Sequence, residues 1–143
     1  MTAAAGLADT PDVTSSAGFA LEQPGEKHLN SLPEATARIH AWIGAVRSAK
    51  TITSLLAWLD YIANGPPGPL AMIGKTERTL KRNILDPLSL LLDPSDFAYS
   101  EGKGECTIYG RTVWLYGANN ELAKDKIRGV TLRGAYGDEV TLW

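Results

Sequence analysis

The sequence predicts an α/β fold, because short apolar runs typical of strands alternate with helical patterns. A short, largely apolar run at Ile39–Ile43 is followed by a loop and by the apolar-periodic stretch Ile52–Ala63, a succession typical of strand, loop and helix. A second apolar run, Leu70–Ile73, again precedes a helical pattern, and a small, partly apolar run ends in two carboxylates, Asp138 and Glu139.

Composition limits the classes of function. The chain has 143 residues, 44% of them hydrophobic and 21% charged, which is typical of a single globular domain. Its formal net charge of −2 gives no overall basic surface, so any contact with nucleic acid must be local. No apolar run approaches the roughly 20 residues of a membrane helix. With a single cysteine, Cys106, and no secretory pattern, we expect a cytoplasmic protein without membrane contact.

The N-terminal quarter of the chain divides into two parts. Residues 1–25 are mostly small and polar and end in Pro24-Gly25, so we predict a disordered leader there. We predict a single domain over residues 26–143, beginning with a short helix between Glu26 and Arg38. His28 in this segment is a candidate for contact with a nucleotide base, although a surface helix with exposed polar residues explains it equally well.

The loop after the first predicted strand resembles a phosphate-binding loop, G-x-x-x-x-G-K-[ST]. The residues concerned are Gly44, Ala45, Val46, Arg47, Ser48, Ala49, Lys50 and Thr51. In such a loop, backbone N–H groups and the N-terminus of the following helix point at a phosphate. Lys50 would reach the β- and γ-phosphates and the Thr51 hydroxyl would bind Mg²⁺. An ordinary strand-to-helix turn remains the alternative interpretation.

One residue departs from this motif. Ala49 stands where the pattern has glycine. Its Cβ would crowd backbone that must approach the phosphates, and any positive φ there would be unfavourable. We therefore expect weakened nucleotide binding without a change of fold.

The sequence pattern in the middle of the chain predicts two helices. Leucine and isoleucine at helical spacing after Lys50 predict a buried stripe, with Trp58 as a packing residue. A second helix is expected to begin near Thr76 and to end before Pro87. Its basic residues, Lys75, Arg78, Lys81 and Arg82, are either a solvated face or a contact to DNA phosphates.

After Asp93-Pro94 the sequence pattern changes from helical spacing of apolar residues to short β runs. Three short β runs between Phe97 and Tyr116, separated by turn residues, predict a β-meander. A short helix is expected over Glu121–Ile127, before the run that ends at Asp138-Glu139. Adjacent carboxylates at a strand end can divide two tasks, since one can hold a metal and the other can act as a base.

Together these motifs resemble the large terminase subunit of tailed bacteriophages, the ATP-driven motor that packages DNA. The resemblance runs from about Glu26 to Trp143. The stretches that carry it are Ala37–Trp42 leading into Gly44–Thr51, Met72–Thr76 with Asn83–Pro87, Gly117–Asn120, Lys126–Gly129 and Gly134–Glu139.

This resemblance implies a P-loop NTPase fold of the additional-strand type, which is a parallel sheet flanked by helices, here with a β-meander insertion. It implies ATP and Mg²⁺ as cofactors, with Lys50 and Thr51 binding phosphate and metal, Asp138 ordering the metal and Glu139 acting as the catalytic base. Arg47 is similar to the loop arginine that such motors use against the γ-phosphate. The implied partners are double-stranded DNA, the portal protein, the small terminase subunit and further copies in a ring, in the cytoplasm of a bacterial host.

Further departures accompany Ala49. His28 stands where these proteins tend to have a glutamine that reads adenine. The sequence ends just past Glu139, so we expect an incomplete domain without the coupling motif and without the nuclease domain. Two alternatives therefore stay open: a catalytically inactive remnant that acts at most as a binding module, and another P-loop motor such as a helicase-like protein.

Overall fold

The fold is built on one mixed five-stranded sheet. The structure, a computed structural model, describes residues 24–33, 37–41, 43, 49–120, 125 and 127–140. The strands are β1 (Leu70–Gly74), β2 (Phe97–Ser100), β3 (Glu105–Ile108), β4 (Arg111–Gly117) and β5 (Gly134–Gly137). Their order across the sheet is β2-β3-β4-β1-β5, in which β4, β1 and β5 are mutually parallel.

Helices accompany this sheet in the described residues. They are α1 (Glu26–Asn30), α2 (Lys50–Asn64), α3 (Glu77–Leu80), a π-helical turn (Lys81–Leu85) and α4 (Asp86–Leu91). Asp125, Ile127 and Arg128 are also helical, whereas residues 121–124 and 126 of the predicted short helix lie outside the described part. In the part of the chain that the structure describes, no helix is long and apolar enough to cross a membrane.

The main core lies between one face of the sheet and the helices. It is formed by alternate strand residues together with the apolar stripe of α2 and the buried side of the α3–α4 segment. Its fully or almost fully buried members include Leu55, Trp58, Leu59, Ile62, Leu70, Met72, Leu80, Ile84, Leu88, Cys106, Ile108 and Val113. On the other face of the sheet, Ala71 and Tyr116 pack with Ile73, Trp114, Ile127 and Leu132. The predicted packing role of Trp58 is confirmed.

Polar contacts fix α2 antiparallel to the parallel strands. Arg111, at the start of β4, donates to four carbonyl oxygens around the C-terminus of α2; the shortest, 2.7 Å and 2.8 Å, are to Ile62 and Pro66. The Tyr61 hydroxyl donates to the carbonyl of Arg133, just before β5. The C-terminus of α2 therefore lies at the edge where the parallel strands begin, and its N-terminus points to the edge where they end.

The helix after β1 is longer than the sequence predicts. Thr76 caps α3 through reciprocal hydrogen bonds with Thr79, and the helix then passes through the π turn into α4. The prediction that Pro87 lies beyond the helix is wrong. This proline occupies the first turn of α4, where its missing N–H and fixed φ are tolerated.

The predicted buried strand at Ile39–Ile43 is also wrong for the residues described. Residues 37–41 and 43 are not in a strand, and the side chains of Ile39 and Ile43 are 83% and 94% exposed. Among the described residues this run pairs with no strand of the sheet. A short apolar run does not itself specify pairing.

The β-meander is confirmed, but it is part of the main sheet. β2, β3 and β4 pair antiparallel in sequence order, and β4 continues the sheet by pairing parallel with β1. The sheet is therefore mixed: β4, β1 and β5 form its parallel part, and the meander strands β2 and β3 extend it with antiparallel pairs. A two-residue turn, Tyr109-Gly110, joins β3 to β4 with φ of 50° and 74°, as right-handed strand twist favours.

Candidate functional site

The candidate site lies at the edge where the three parallel strands end. Gly74 of β1 is level with Gly117 of β4, and Ile73 is level with Gly137 of β5. Hydrogen bonds hold the following loops together: Ala118 N to Gly74 O is 2.8 Å, and Asp138 N to Ile73 O is 2.9 Å. Such an edge is where open α/β sheets bind ligands.

Glycine allows close approach at this edge. A Cβ on Gly117 would lie 3.1 Å from the backbone nitrogen of Glu77 and 3.2 Å from Cα of Thr76. These distances are tighter than ordinary side-chain contacts, so a larger residue would push β4 away from the start of α3. The small residue keeps the loops after β1 and β4 side by side.

The first turns of α2 reach the same edge. Ser54 Oγ and Tyr136 Oη lie 2.9 Å apart, which joins the N-terminal part of α2 to β5. Ser54 comes one turn after Lys50 and Thr51, and Tyr136 comes two residues before Asp138. The structure thus brings Lys50 and Thr51 to the edge that carries Asp138 and Glu139. Lys50 is partly buried and Thr51 is exposed.

Asp138 is a partly buried carboxylate with a specific neighbour. Asn83, in the π turn, donates from Nδ2 to Asp138 Oδ2 at 3.3 Å. Burial raises the pKa of Asp138 above its usual value; the hydrogen bond from Asn83 lowers it, the Glu139 charge raises it, and a backbone hydrogen bond involving Glu139 lowers it. Because burial is the largest of these effects, the charged form of Asp138 is less favourable in the folded protein than in water.

Glu139 has an unusual backbone conformation. Its φ is 52°, in the left-handed region, and its side chain is exposed. Non-glycine residues rarely adopt this conformation, and they do so mainly in turns and at functional sites. The turn after β5 therefore presents the Glu139 carboxylate to solvent beside the half-buried Asp138.

Ala49 also has a positive φ. It precedes α2 with φ 54° and ψ 14°, and its carbonyl accepts both the backbone N–H and the side-chain hydroxyl of Thr53, each at 3.0 Å. The conformation is one that glycine adopts without penalty. The concern about positive φ at Ala49 is therefore confirmed, while its effect on nucleotide binding stays a prediction.

Six other residues were predicted to belong to the site. Gly44, Ala45, Val46, Arg47 and Ser48 lie outside the described residues. His28 lies in α1, is partly exposed, and belongs to a short helix that lies next to α2. Its predicted contact with a base stays a prediction.

Mg²⁺ fits the side chains at this edge. Magnesium is usually held by one or two carboxylates together with phosphate oxygens and water. Asp138 supplies a carboxylate and Thr51 a hydroxyl. Within the described residues, no three His, Cys, Asp or Glu side chains gather in one place. Asp138 and Thr51 are therefore the described side chains at this edge that could contribute oxygen ligands to such an ion.

Sequence reasoning missed two contributors to the site. Asn83 and Ser54 contact residues that lie 55 and 82 positions away in the chain. Neither had a local signal, because a polar residue on a helix is ordinarily exposed. Asn83 did lie in one of the stretches that carry the terminase resemblance, without a role attached to it.

The predicted basic face is less positively charged than the sequence suggests, because acidic residues lie beside it. Arg78, Lys81 and Arg82 line a groove of about 540 Å³ together with Glu77, Asp86, Tyr99 and Glu101. Lys81 Nζ lies 3.6 Å from Asp86 Oδ1. The acidic neighbours reduce the positive potential that DNA phosphates would meet.

Comparison with solved structures finds proteins that have a similar fold. The large terminase of a thermophilic bacteriophage superposes with a TM-score of 0.64 at 25% sequence identity, over 85% of this chain and 33% of that one. A second crystal form of the same terminase, in complex with ADP, gives 0.64 at 24% identity over the same shares. A further structure of this terminase, in the same crystal form as the ADP complex, superposes with a TM-score of 0.61 at 24% sequence identity. This match covers 85% of this chain and 32% of the terminase chain.

These matches cover only part of the terminase. This chain spans about one third of the length of the terminase chains that it matches. No family model matches the sequence, and no curated protein matches it. The similarity therefore rests on three-dimensional structure together with the order of the motifs. The resemblance to the large terminase of tailed bacteriophages, which the sequence motifs indicated, is confirmed by the structural comparison.

Proposed function

We propose that this chain is the ATP-binding and ATP-hydrolysing part of a phage DNA-packaging motor. The observation that carries this proposal is that the Ser54–Tyr136 contact brings the N-terminus of α2 to the end of β5. Lys50 and Thr51 thereby share one edge of the sheet with Asp138 and Glu139. The proposed fold is accordingly the additional-strand type of P-loop NTPase, and the ADP complex of the phage terminase supports a nucleotide as ligand.

Each side chain has a proposed role. The Lys50 ammonium binds the β- and γ-phosphates, and the N-terminal N–H groups of α2 add positive potential. Thr51 and Asp138 hold Mg²⁺, which supplies positive charge against the phosphate oxygens. Glu139 accepts a proton from the attacking water, and Arg47 stabilises charge on the γ-phosphate. His28 contacts the base.

The larger assembly is part of the same proposal. Hydrolysis would drive double-stranded DNA into the procapsid, with the portal protein, the small terminase subunit and further copies in a ring as partners, in the cytoplasm of a bacterial host. Lys75 and Arg78 are the candidates for phosphate contact on the basic face, since Lys81 lies beside Asp86 and Arg82 donates to Asn83. A local contact of this kind is compatible with the net charge of −2.

Binding of ATP by the purified chain tests the proposal. We expect ATP to bind more tightly with Mg²⁺ than without it, and Lys50→Ala and Asp138→Ala each to weaken Mg²⁺-dependent binding at least about tenfold. Arg128→Ala is the control, because Arg128 is exposed and follows Ile127 on the other face of the sheet. Equal binding by the wild type and Lys50→Ala, or no binding at millimolar ATP, would overturn the proposal.

A second candidate is a binding module without catalysis. The positive φ of Ala49 favours it, because the backbone next to Lys50 is in a conformation that alanine disfavours. Phosphate release distinguishes the two functions. Hydrolysis that Glu139→Gln abolishes, with binding retained, supports the ATPase, whereas binding without any phosphate release supports the module. A helicase-like motor would differ in its DNA substrate and would not depend on the portal.

A further inference from the structure

The π turn places a polar side chain on the candidate metal-binding carboxylate. A π turn inserts an extra residue into a helix, and such turns are frequent at functional sites. Here the turn covers Lys81–Leu85, with Ile84 and Leu85 buried in the core. Asn83 is partly exposed and directs its Nδ2 to Asp138 Oδ2, 3.3 Å away.

A second hydrogen bond fixes the orientation of this amide. Arg82 Nε lies 3.1 Å from Asn83 Oδ1 and donates to it. A guanidinium can only donate, so it requires the oxygen of the amide on its side and leaves the NH₂ group towards Asp138. The reversed amide would place an oxygen against the carboxylate and an NH₂ group against the arginine.

We propose that Asn83 is a positioning residue for Asp138, held in place by Arg82. Its amide fixes the rotation of the Asp138 carboxylate through Oδ2, so that the carboxylate meets an incoming Mg²⁺–nucleotide in one orientation. Partners of metal ligands act in this way, and their removal typically costs 10–100-fold in metal affinity. The role of Asn83 towards the metal rests on the proposed nucleotide site, but its contact with Asp138 does not.

The binding test uses two variants of Asn83. Asn83→Leu keeps approximately the volume and removes the donor, while Asn83→Ala removes both. We expect both variants to raise the Mn²⁺ concentration for half-maximal ATP binding by about tenfold or more, measured by electron paramagnetic resonance of free Mn²⁺. If Asn83 only fills space, Asn83→Leu would bind like the wild type, and the proposal would be wrong.

The chain offers a matched control for this substitution. Asn64 Nδ2 donates to Asp60 Oδ1 at 2.8 Å, in the C-terminal part of α2 and away from the site. Asn64→Leu therefore removes the same kind of amide–carboxylate hydrogen bond. We expect it to leave the Mn²⁺ requirement unchanged. An equal loss in Asn64→Leu and Asn83→Leu would show a general effect on stability and would overturn the assignment.

A measurement without nucleotide separates this inference from the proposed function. In ¹H–¹⁵N spectra, the side-chain NH₂ signals of Asn83 should shift on Asp138→Ala and on Arg82→Ala, while those of Asn64 should not. Shifts without any ATP binding would retain the contact and contradict the proposed nucleotide site. Unshifted Asn83 signals in both variants would contradict the positioning role, whether or not ATP binds.

Discussion

At the scale of single residues, the conformation of Ala49 has a measurable cost. Its φ of 54° is available to glycine without steric penalty, and alanine is also a poor residue immediately before a helix. Against this, glycine makes the unfolded chain more flexible. We expect Ala49→Gly to raise the free energy of unfolding by roughly 0.5–1 kcal/mol and to tighten ATP binding.

Chemical denaturation and ATP titration of the variant check this expectation. Ala57→Gly is the control because Ala57 lies inside α2, where glycine costs about 1 kcal/mol relative to alanine. The two alanine-to-glycine changes should therefore have opposite signs. If both destabilise the protein, the left-handed conformation of Ala49 carries no cost, and unchanged ATP affinity would show that Ala49 does not impair the loop.

Asp138 should make stability depend on pH in the opposite sense to an ordinary ion-paired carboxylate. Burial raises its pKa above 3.8 in the folded protein, so the folded state holds the proton more tightly than the unfolded state. Its contribution is favourable below pH 3.8 and is lost as the pH rises through the folded pKa. We expect Asp138→Asn to stabilise the nucleotide-free protein at about pH 7 and to have less effect near about pH 3.5.

Urea unfolding at the two pH values measures this difference. Asp96→Asn is the control, because Asp96 is exposed. Its substitution should change the free energy of unfolding at neutral pH by no more than about 0.5 kcal/mol. A destabilised Asp138→Asn variant at neutral pH would show instead that contacts of the ionised carboxylate outweigh its burial.

At the scale of helices and strands, local patterns predicted most elements correctly. The spacing of apolar residues indicated α2, and an apolar run bounded by turns indicated β1. The carboxylate pair Asp138-Glu139 indicated a strand end, which the structure places at the end of β5. Turn residues indicated the three strands of the meander. These elements follow from short stretches of sequence, because periodicity and turn preference are local properties.

The errors concern properties that depend on neighbours in space. The run at residues 39–43 has the composition of a strand, but composition does not specify a pairing partner, and the described part of the run pairs with no strand of the sheet. Pro87 ends a helix only where its N–H is needed, and the first turn of α4 does not need it. In the candidate site, Asp138 and Glu139 were visible in sequence, whereas Asn83 was not, because its contact joins distant segments.

The packing of α2 against β5 depends on a glycine. A Cβ on Gly134 would clash with Tyr61 Cε1 and would lie 3.2 Å from both Trp58 Cζ3 and Leu70 Cδ2. These aromatic rings stack on each other with centroids 5.7 Å apart, so they have little room to move. We expect Gly134→Ala to lower the free energy of unfolding by about 1–3 kcal/mol.

Thermal and chemical unfolding of Gly134→Ala measure this cost. Gly102→Ala is the matched control, since a Cβ at Gly102 meets no atom within 4 Å. It should change stability by no more than about 0.5 kcal/mol. Equal stability of the two variants would mean that α2 and β5 do not pack as closely as described. A loss of ATP binding in Gly134→Ala alone would follow if this packing also holds the first turn of α2 beside Asp138.

At the scale of the whole molecule, the order of the strands predicts a gradient of local stability. β1 pairs on both sides and its Leu70, Ala71 and Met72 are fully buried, whereas β2 and β5 each pair with one strand among the described residues. Backbone hydrogen bonds at a sheet edge open more readily than those in the centre. The carboxylates of the candidate site thus follow an edge strand, while the strand that supports them is central.

Amide hydrogen exchange can map this gradient in the intact chain. We expect amides of β1 to exchange most slowly, those of β4 next, and those of β2 and β5 faster by at least about tenfold, since local opening spans the range from near zero to the global free energy. If Mg²⁺ and ATP bind where we propose, they should slow exchange in β5 and the first turn of α2 more than in β2, because β2 lies at the opposite edge. Exchange in β5 as slow as in β1 without nucleotide would contradict this assignment of the edge. Equal protection of β2 and β5 by nucleotide would place the ligand elsewhere.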